Sequence, residues 1–428
     1  MPENRRVVVT GYGMVTPLGM SAGETFEQAS LGRSGIDFLK NFDPTGLPCQ
    51  IGGEVEDGRL EEAEAKLPRS KVQRYLSRGA RFMRVATAEA LGMAGLDGAP
   101  ELAGAGLSLG SHGENTPVKD IASLHKFFDG QRWDVAAMAR DGGYPFRNFF
   151  LRKADVATSA LSMLFGLEGP NISICSACSA GPQAIGEAYY MIKEGRTDLM
   201  LAGGCESTMN FVGFVGFVLI TALSEKYDSP QGASRPFDRK RNGFVMSEGA
   251  GAVVLEELGY ARRRGAPILG ELVGYGSSAD AYRITDTHPK GLGAIYAMKA
   301  ALEDAGLGPE GIDYISAHGT STQMNDLAET MAIKEVFGER AGEIPVSSVK
   351  SMLGHTIAAA GAIEMILALM GISRSLLLPT INYETRDPKC DLDYVPNEAR
   401  SMEHRTALSN SFGFGGQNAC IVVGRFDE

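Results

Sequence analysis

A layered α/β fold built from two similar halves is what this chain predicts, and three observations carry the prediction. Strand-like apolar runs alternate with helix-like amphipathic runs along almost the whole length. The residues with reactive chemistry fall where a strand ends and a helix begins, the place where layered α/β folds bind ligands. No low-complexity linker interrupts the pattern, so the halves are expected to pack as one unit, residues 1–258 and 259–428.

Taken in order, "RVVVTG" reads as a strand, and "SAGETFEQAS" as a helix opened by Ser21 and Glu24 in capping-box spacing. Residues 71–95 read as one long helix. Residues 112–150 lack clean periodicity and read as an inserted cap or interface. "NISIC" is a short apolar strand, followed by a helix from about Ser179 to Glu194. "DLMLAGG" and "AGAVVLEEL" are buried strands. The second half repeats the alternation, with the strand "GAPILGELVGYGSSAD", the helix "GLGAIYAMKAALEDAGL", the strand "IDYIS", the helix "DLAETMAIKEVFG" and the strand "IPVSSVK". "HTIAAAGAIEMILALMGI" is a helix apolar all round, hence buried, and the chain closes with two strands around the glycine turn of "GFGFGGQN".

Composition narrows the function. At 428 residues, with 44% hydrophobic and 22% charged residues, the chain suits a soluble globular protein. A net charge of −11 argues against general nucleic-acid binding, which needs a basic surface. Six cysteines in so long a chain make no disulfide framework, so a reducing cytoplasm is expected. The longest near-uniform apolar run, residues 211–220, falls short of the roughly 20 residues a membrane span needs.

Two cysteines stand three apart in "SICSACSAG". A redox pair or half a zinc site is the weaker reading, because no second C-x-x-C or H-x₃-H completes four ligands. Cys175 extends the apolar run and reads as buried filler. Cys178 differs. Small residues surround it at the first turn of a helix, which suits a sharp elbow with room for an acyl group. The positive helix end favours thiolate there and offers amides to an oxyanion. Among the histidines, His318 in "SAHGTST" and His355 in "KSMLGHTIAAAGA" lie in glycine-flanked strand-to-helix loops. His112 lacks that setting, and His125, His288 and His404 read as surface residues.

With these residues in view, the sequence resembles the β-ketoacyl-acyl-carrier-protein synthases, the decarboxylating condensing enzymes of fatty acid and type II polyketide synthesis. The likeness runs through "VVVTGYGMVTPLG", "SACSAG", "SRPFDRKRNGFVMSEGAGAVVLEE", "AHGTST", "VKSMLGHTIAAAGAIE" and "NSFGFGGQN", in the family's order. It implies the thiolase fold, two similar halves in a five-layered α-β-α-β-α stack, normally dimeric. It implies Cys178, His318 and His355 as catalytic residues, with Lys350 and Glu329 as a supporting charged pair. It implies Thr320 and Thr322 at the phosphopantetheine arm, Phe414 at a malonyl gate, Phe412 and Phe217 as further substrate-binding residues, and Gly113 near the acyl pocket. Near Gly113 the family often has a bulky aliphatic; glycine there implies a deeper pocket and longer or unsaturated acyl chains.

The resemblance also implies an acyl carrier protein as partner and no cofactor or metal beyond the phosphopantetheine that the carrier brings. The acidic carrier would dock on Arg69, Lys71 and Arg74, with Arg78 and Arg81 in the same run. A homodimer is expected, or a heterodimer with a chain-length-factor-like subunit. Ser316 stands where Asn is common, which unsettles a structural cation. A thiolase acting on coenzyme A esters would need a second late cysteine, and Cys420 lies inside a strand. A scaffold subunit would not retain all three catalytic residues. A dinucleotide site at "TGYGMVTPLG" fails for want of G-x-G-x-x-G.

Overall fold

A computed structural model describes residues 5–115, 118–142 and 147–428. Its spine is a ten-stranded sheet. In chain order the strands are β1 (Val7–Val15), β2 (Gly106–Gly110), β3 (Asn171–Ile174), β4 (Leu199–Glu206) and β5 (Gly249–Glu257). Then follow β6 (Gly270–Ala279), β7 (Tyr314–Ser316), β8 (Val346–Ser347), β9 (Thr406–Phe412) and β10 (Gln417–Gly424). Their spatial order is β8-β7-β9-β10-β6-β1-β5-β4-β2-β3.

The order reads the same outward from the centre. β1 pairs antiparallel with β5 and β5 with β4, while β4, β2 and β3 run parallel. On the other side β6 pairs antiparallel with β10 and β10 with β9, while β9, β7 and β8 run parallel. Each strand of one half therefore has a counterpart in the other: β1 with β6, β2 with β7, β3 with β8, β4 with β9, β5 with β10. The halves join where β1 pairs with β6 over Val7–Val9.

Helices α1 (Ala22–Ser30) and α2 (Arg78–Met93) belong to the first half, and α3 (Ala180–Lys193) follows β3. Helices α4 (Leu292–Ala305), α5 (Gln323–Phe337) and α6 (Ala360–Arg374) belong to the second. The two most buried, α3 and α6, pack on each other and on strands of both halves, forming the middle layer. α2 covers the outer face of the first half, and α4 and α5 that of the second. The stack is helix, sheet, helix, sheet, helix, as expected. Ile357–Arg374 is long and apolar enough to cross a membrane, but 89% of it lies buried inside the protein, as the helix at the centre of a core must.

Four sequence readings need correction. The single helix over 71–95 is two: a short turn at Lys71–Tyr75 opened by the capping box of Ser70 and Gln73, then α2 capped by Ser77. Two N-cap serines in one run start two helices, and extended Leu76 separates them. In 112–150, residues 116–117 and 143–146 lie outside the described residues; the rest holds short helices at Val118–His125, Val135–Arg140 and Arg147–Leu151. "NISIC" holds the strand β3, but β3 is the sheet edge with alternate residues exposed, so Cys175 is exposed and not buried filler. His404 is buried, its Nδ1 2.9 Å from the Met402 carbonyl.

Candidate active site

The nucleophile candidate sits on an elbow. β3 ends at Ile174, and the tight turn Ala177–Ser179 leads into α3, with Ala177 at φ +50°, a region L-residues rarely adopt. Its small neighbours make this bearable. The second half repeats the device: the turn Ile357–Ala359 leads into α6, with Ile357 at φ +44°. The elbows touch, since a Cβ on Gly181 would lie 2.6 Å from the Ala358 carbonyl oxygen. Only glycine allows that approach.

His355 follows β8 and precedes the second elbow, so packing the elbows together brings it to Cys178. Its Nε2 lies 3.1 Å from the Cys178 sulfur. Its Nδ1 accepts from the Ile357 N–H at 3.2 Å. An Nδ1 that accepts carries no proton, so Nε2 holds the hydrogen and donates toward the sulfur. His318, in the loop after β7, crosses the His355 ring at 81° with 5.3 Å between centroids. The thiol and one nitrogen of each ring converge within 4.8 Å of one another.

All three groups are buried, and burial sets their charge. It pushes the Cys178 thiol up to about 11, against the lowering pull of the Phe414 amide, the Lys350 charge and its own amide. The thiolate expected from the helix end is thus not the resting state: the desolvation of a sulfur 1% exposed outweighs those attractions. Burial and then Lys350 hold both imidazoles well below their usual 6.5, so both are neutral. The backbone amides of Phe414 and Cys178 are both near enough to the sulfur to lower the thiol.

The supporting charges are real but paired otherwise than expected. Lys350 does not meet Glu329; it forms a buried ion pair with Glu364 on α6. Glu329 instead accepts from the backbone N–H groups of His318 and Gly319, each at 2.8 Å, and from Asn410 at 3.2 Å. Burial raises its pKa to about 7 in spite of those donors. It fixes the His318 loop. Glu364 and Asn410 went unseen because neither spacing nor composition joins residues 14 and 81 positions from their partners.

A cavity of about 310 Å³ opens onto the thiol and both imidazoles, lined also by Thr320, Thr322, Phe412 and Phe414. The two threonine hydroxyls lie 2.9 Å apart. Phe414 rides a turn in which Gly415 and Gly416 adopt φ +82° and +75°. Ser179, beside the nucleophile, donates to the carbonyls of Ser411 and Gln417 and ties this turn to the elbow. Phe244, at 5.3 Å from the His355 ring, also lines the cavity and was missed, although it lies in the motif "NGFVMSEG".

Phe217 does not line the cavity; it stands behind, packed on Phe244 and Phe414. Gly113 is absent from the lining too. It adopts φ +76°, and a Cβ there would run into the Arg152 carbonyl, so the missing side chain leaves no hollow. The cavity at Cys178 does not reach that glycine. Arg69, Lys71 and Arg74 are exposed, whereas Arg78 is held by Glu248 and Asp57 and Arg81 by Glu64. Cys420 is fully buried in β10, its thiol donating to Asn410 at 3.2 Å, away from the cavity. Among the described residues, Cys178, His318 and His355 are also the set whose atoms converge as metal ligands do. The Lys350 charge felt by all three works against a dication there.

Comparison with known proteins gives a consistent answer. Residues 4–261 match the family description "Beta-ketoacyl synthase, N-terminal domain", and residues 269–384 match "Beta-ketoacyl synthase, C-terminal domain". The chain is 40% identical to the 3-oxoacyl-[acyl-carrier-protein] synthase 2 of Coxiella burnetii, over 99% of each chain. It is 40% identical to the protein of the same name from Synechocystis, again over 99% of each. A β-ketoacyl synthase structure from Burkholderia phymatum superposes with TM-score 0.87 at 34% identity, covering 99% of this chain and 100% of that one. A type II polyketide ketosynthase solved with its acyl-carrier protein gives 0.84 at 33%, with the same coverage. The ishigamide ketosynthase/chain length factor gives 0.86 at 32%, also with that coverage.

Proposed function

The chain belongs to the β-ketoacyl synthase family, and from that premise we propose how its own residues carry the condensation that builds fatty acid or polyketide chains. Cys178 attacks the thioester of a carrier-bound acyl chain. The carbonyl oxygen, as it gains charge, swings toward the amides of Cys178 and Phe414. The carrier's thiol departs with the proton that Cys178 gives up, so no external base is consumed and the acyl group rests on sulfur.

Malonyl carrier thioester then occupies the cavity, its pantetheine arm beside Thr320 and Thr322. Loss of CO₂ leaves an enolate oxygen, to which His355 and His318 present N–H groups. The enolate carbon attacks the acyl carbonyl, and the Cys178 sulfur leaves as thiolate and takes up a proton from solvent. Lys350, held in place by its ion pair with Glu364, contributes its charge rather than a contact, and Glu329 keeps the His318 loop in place. Phe414 gates entry on its glycine turn.

The observation that carries this reading is the fixed tautomer of His355. An imidazole locked as an Nε2–H donor beside a protonated thiol is suited to stabilising an oxyanion, not to abstracting a proton. The reading includes an acyl carrier protein docked on Arg69, Lys71 and Arg74, and no cofactor beyond its phosphopantetheine. It also includes a homodimer, or a pair with a chain-length-factor-like subunit, in the cytoplasm. Relatives solved with a carrier protein or a chain length factor support it. The test is intact-protein mass spectrometry after incubation with acyl carrier proteins. Wild type gains the mass of the acyl group, and Cys178→Ala does not; equal acylation of the variant overturns the assignment.

A further inference from the structure

The motif "SRPFDRKRNGF" at 234–244 belongs to the sequence likeness, and the condensation steps use none of it. Its end lines the cavity through Asn242, Gly243 and Phe244. The rest lies behind the loop that carries Thr320 and Thr322, and bonds it at Ser321, Thr322 and Gln323. Ser321 accepts at its hydroxyl from the Arg235 N–H at 3.0 Å and at its carbonyl from the Gly243 N–H at 3.1 Å. Asp326, in the first turn of α5, accepts from the Phe237 N–H at 2.7 Å and from the Ser321 N–H at 3.2 Å, so one carboxylate clasps both segments. Arg241 donates from Nε to the Thr322 carbonyl at 3.1 Å and from Nη2 to the Gln323 carbonyl at 3.2 Å. Gln323 returns a bond from its side-chain amide to the Arg241 carbonyl.

The loop needs holding. Ser321 adopts φ +70°, a left-handed conformation that a residue with a side chain keeps only where its surroundings impose it. Arg241 is the centre of what imposes it. Its side chain is 2% exposed, its Nη1 donates to the Asp238 carbonyl at 2.9 Å and to Asp387 at 2.7 Å, and Asp326 stands 3.6 Å from Nε. A planar fork grips two successive carbonyls at once, which a lysine ammonium does not. Arg241 does not line the cavity, so it meets no substrate and acts through the loop. The Thr322 hydroxyl belongs to a residue whose carbonyl the fork holds; it lies 2.9 Å from that of Thr320 and accepts from the Asn325 N–H at 3.3 Å.

We propose that Arg241 is a positioning residue for the pantetheine arm: by gripping the Thr322 and Gln323 carbonyls it aims the Thr320 and Thr322 hydroxyls, and so sets how tightly the arm of the malonyl thioester is held. This rests on reading those two threonines as the arm's partners. Arg241 has no share in bond making, because the reacting groups are held by other means, His318 by Glu329 and His355 by the Ile357 N–H. Loosening the fork therefore weakens binding and spares the chemical step.

The test mixes enzyme preloaded with an acyl group on Cys178 with malonyl-pantetheine, an arm without its carrier, over a range of concentrations. Half-saturation and limiting rate are read separately. Arg241→Lys keeps the charge facing Asp326 and Asp387 but loses the fork. It raises half-saturation by about tenfold, the worth of one hydrogen bond, and leaves the limiting rate unchanged. A merely structural loss would shrink the amplitude and leave half-saturation where it was. Asp387→Asn, a milder change to the same fork, moves half-saturation in the same direction and decides the matter if the lysine variant does not fold. Thr320→Val/Thr322→Val raises half-saturation by itself, and adding Arg241→Lys to it changes nothing further. Half-saturation unmoved by the fork variants, a fall in limiting rate alone, or a full Arg241→Lys effect in the threonine background overturns the proposal and leaves the arm reading standing. Half-saturation unmoved by the threonine variant overturns that reading, and the proposal with it.

Discussion

The Nε2–H of His355 points at the Cys178 sulfur across 3.1 Å, and the Ile357 N–H holds the far side of the ring as an acceptor. His355 is therefore a donor before any substrate arrives. Its removal should strike condensation rather than loading.

His355→Ala is expected to lower the condensation rate by about 10²–10³, the usual cost of one oxyanion donor, while Cys178 still takes up an acyl group. Single-turnover assays of each half-reaction separate the two. Because both imidazoles titrate well below 6.5, they stay neutral as pH falls through that value, so the wild-type rate should show no acid limb there. A limb near 6.5 would count against the tautomer.

Lys350→Met should cost about 3–5 kcal/mol in urea unfolding, since it leaves the Glu364 carboxylate buried without its partner. Burial already raises Glu364, and loss of Lys350 raises it further. Its ionised form is then what destabilises the fold, so the deficit should shrink as pH falls and the carboxyl takes a proton. The double variant Lys350→Met/Glu364→Leu should recover most of the loss.

Gly113→Val tests what that glycine is for. The new Cβ meets the Arg152 carbonyl, and a β-branched residue resists φ +76°, so the variant should lose solubility or melt well below wild type. Protein that does fold should keep the wild-type preference over carrier-bound acyl chains of graded length. A stable variant with a shortened acyl range would restore the pocket-floor role.

Much of this was legible in the chain. Alternating periodicity yielded the strands and helices, and the small residues around Cys178 marked its elbow. Glycine-flanked loops picked His318 and His355 from among the histidines. What escaped depends on distance in sequence. Lys350 was visible, but Glu364 becomes its partner only when α6 is seated. Cys175 looked apolar because it ends an apolar run, yet β3 is an edge, and edge position is a property of the whole sheet. The protonated state of Cys178 escaped because the helix end is local and can be read from sequence, whereas desolvation is set by everything packed around it.

The paired elbows have a mechanical consequence. Gly181 lies on the carbonyl of Ala358, and His355 stands three residues before that carbonyl on the same turn. Close-packed backbone has no slack, so a side chain added at Gly181 would push on the segment that aims the ring. The aim of the ring therefore depends on a hydrogen standing where any other residue would put a methyl.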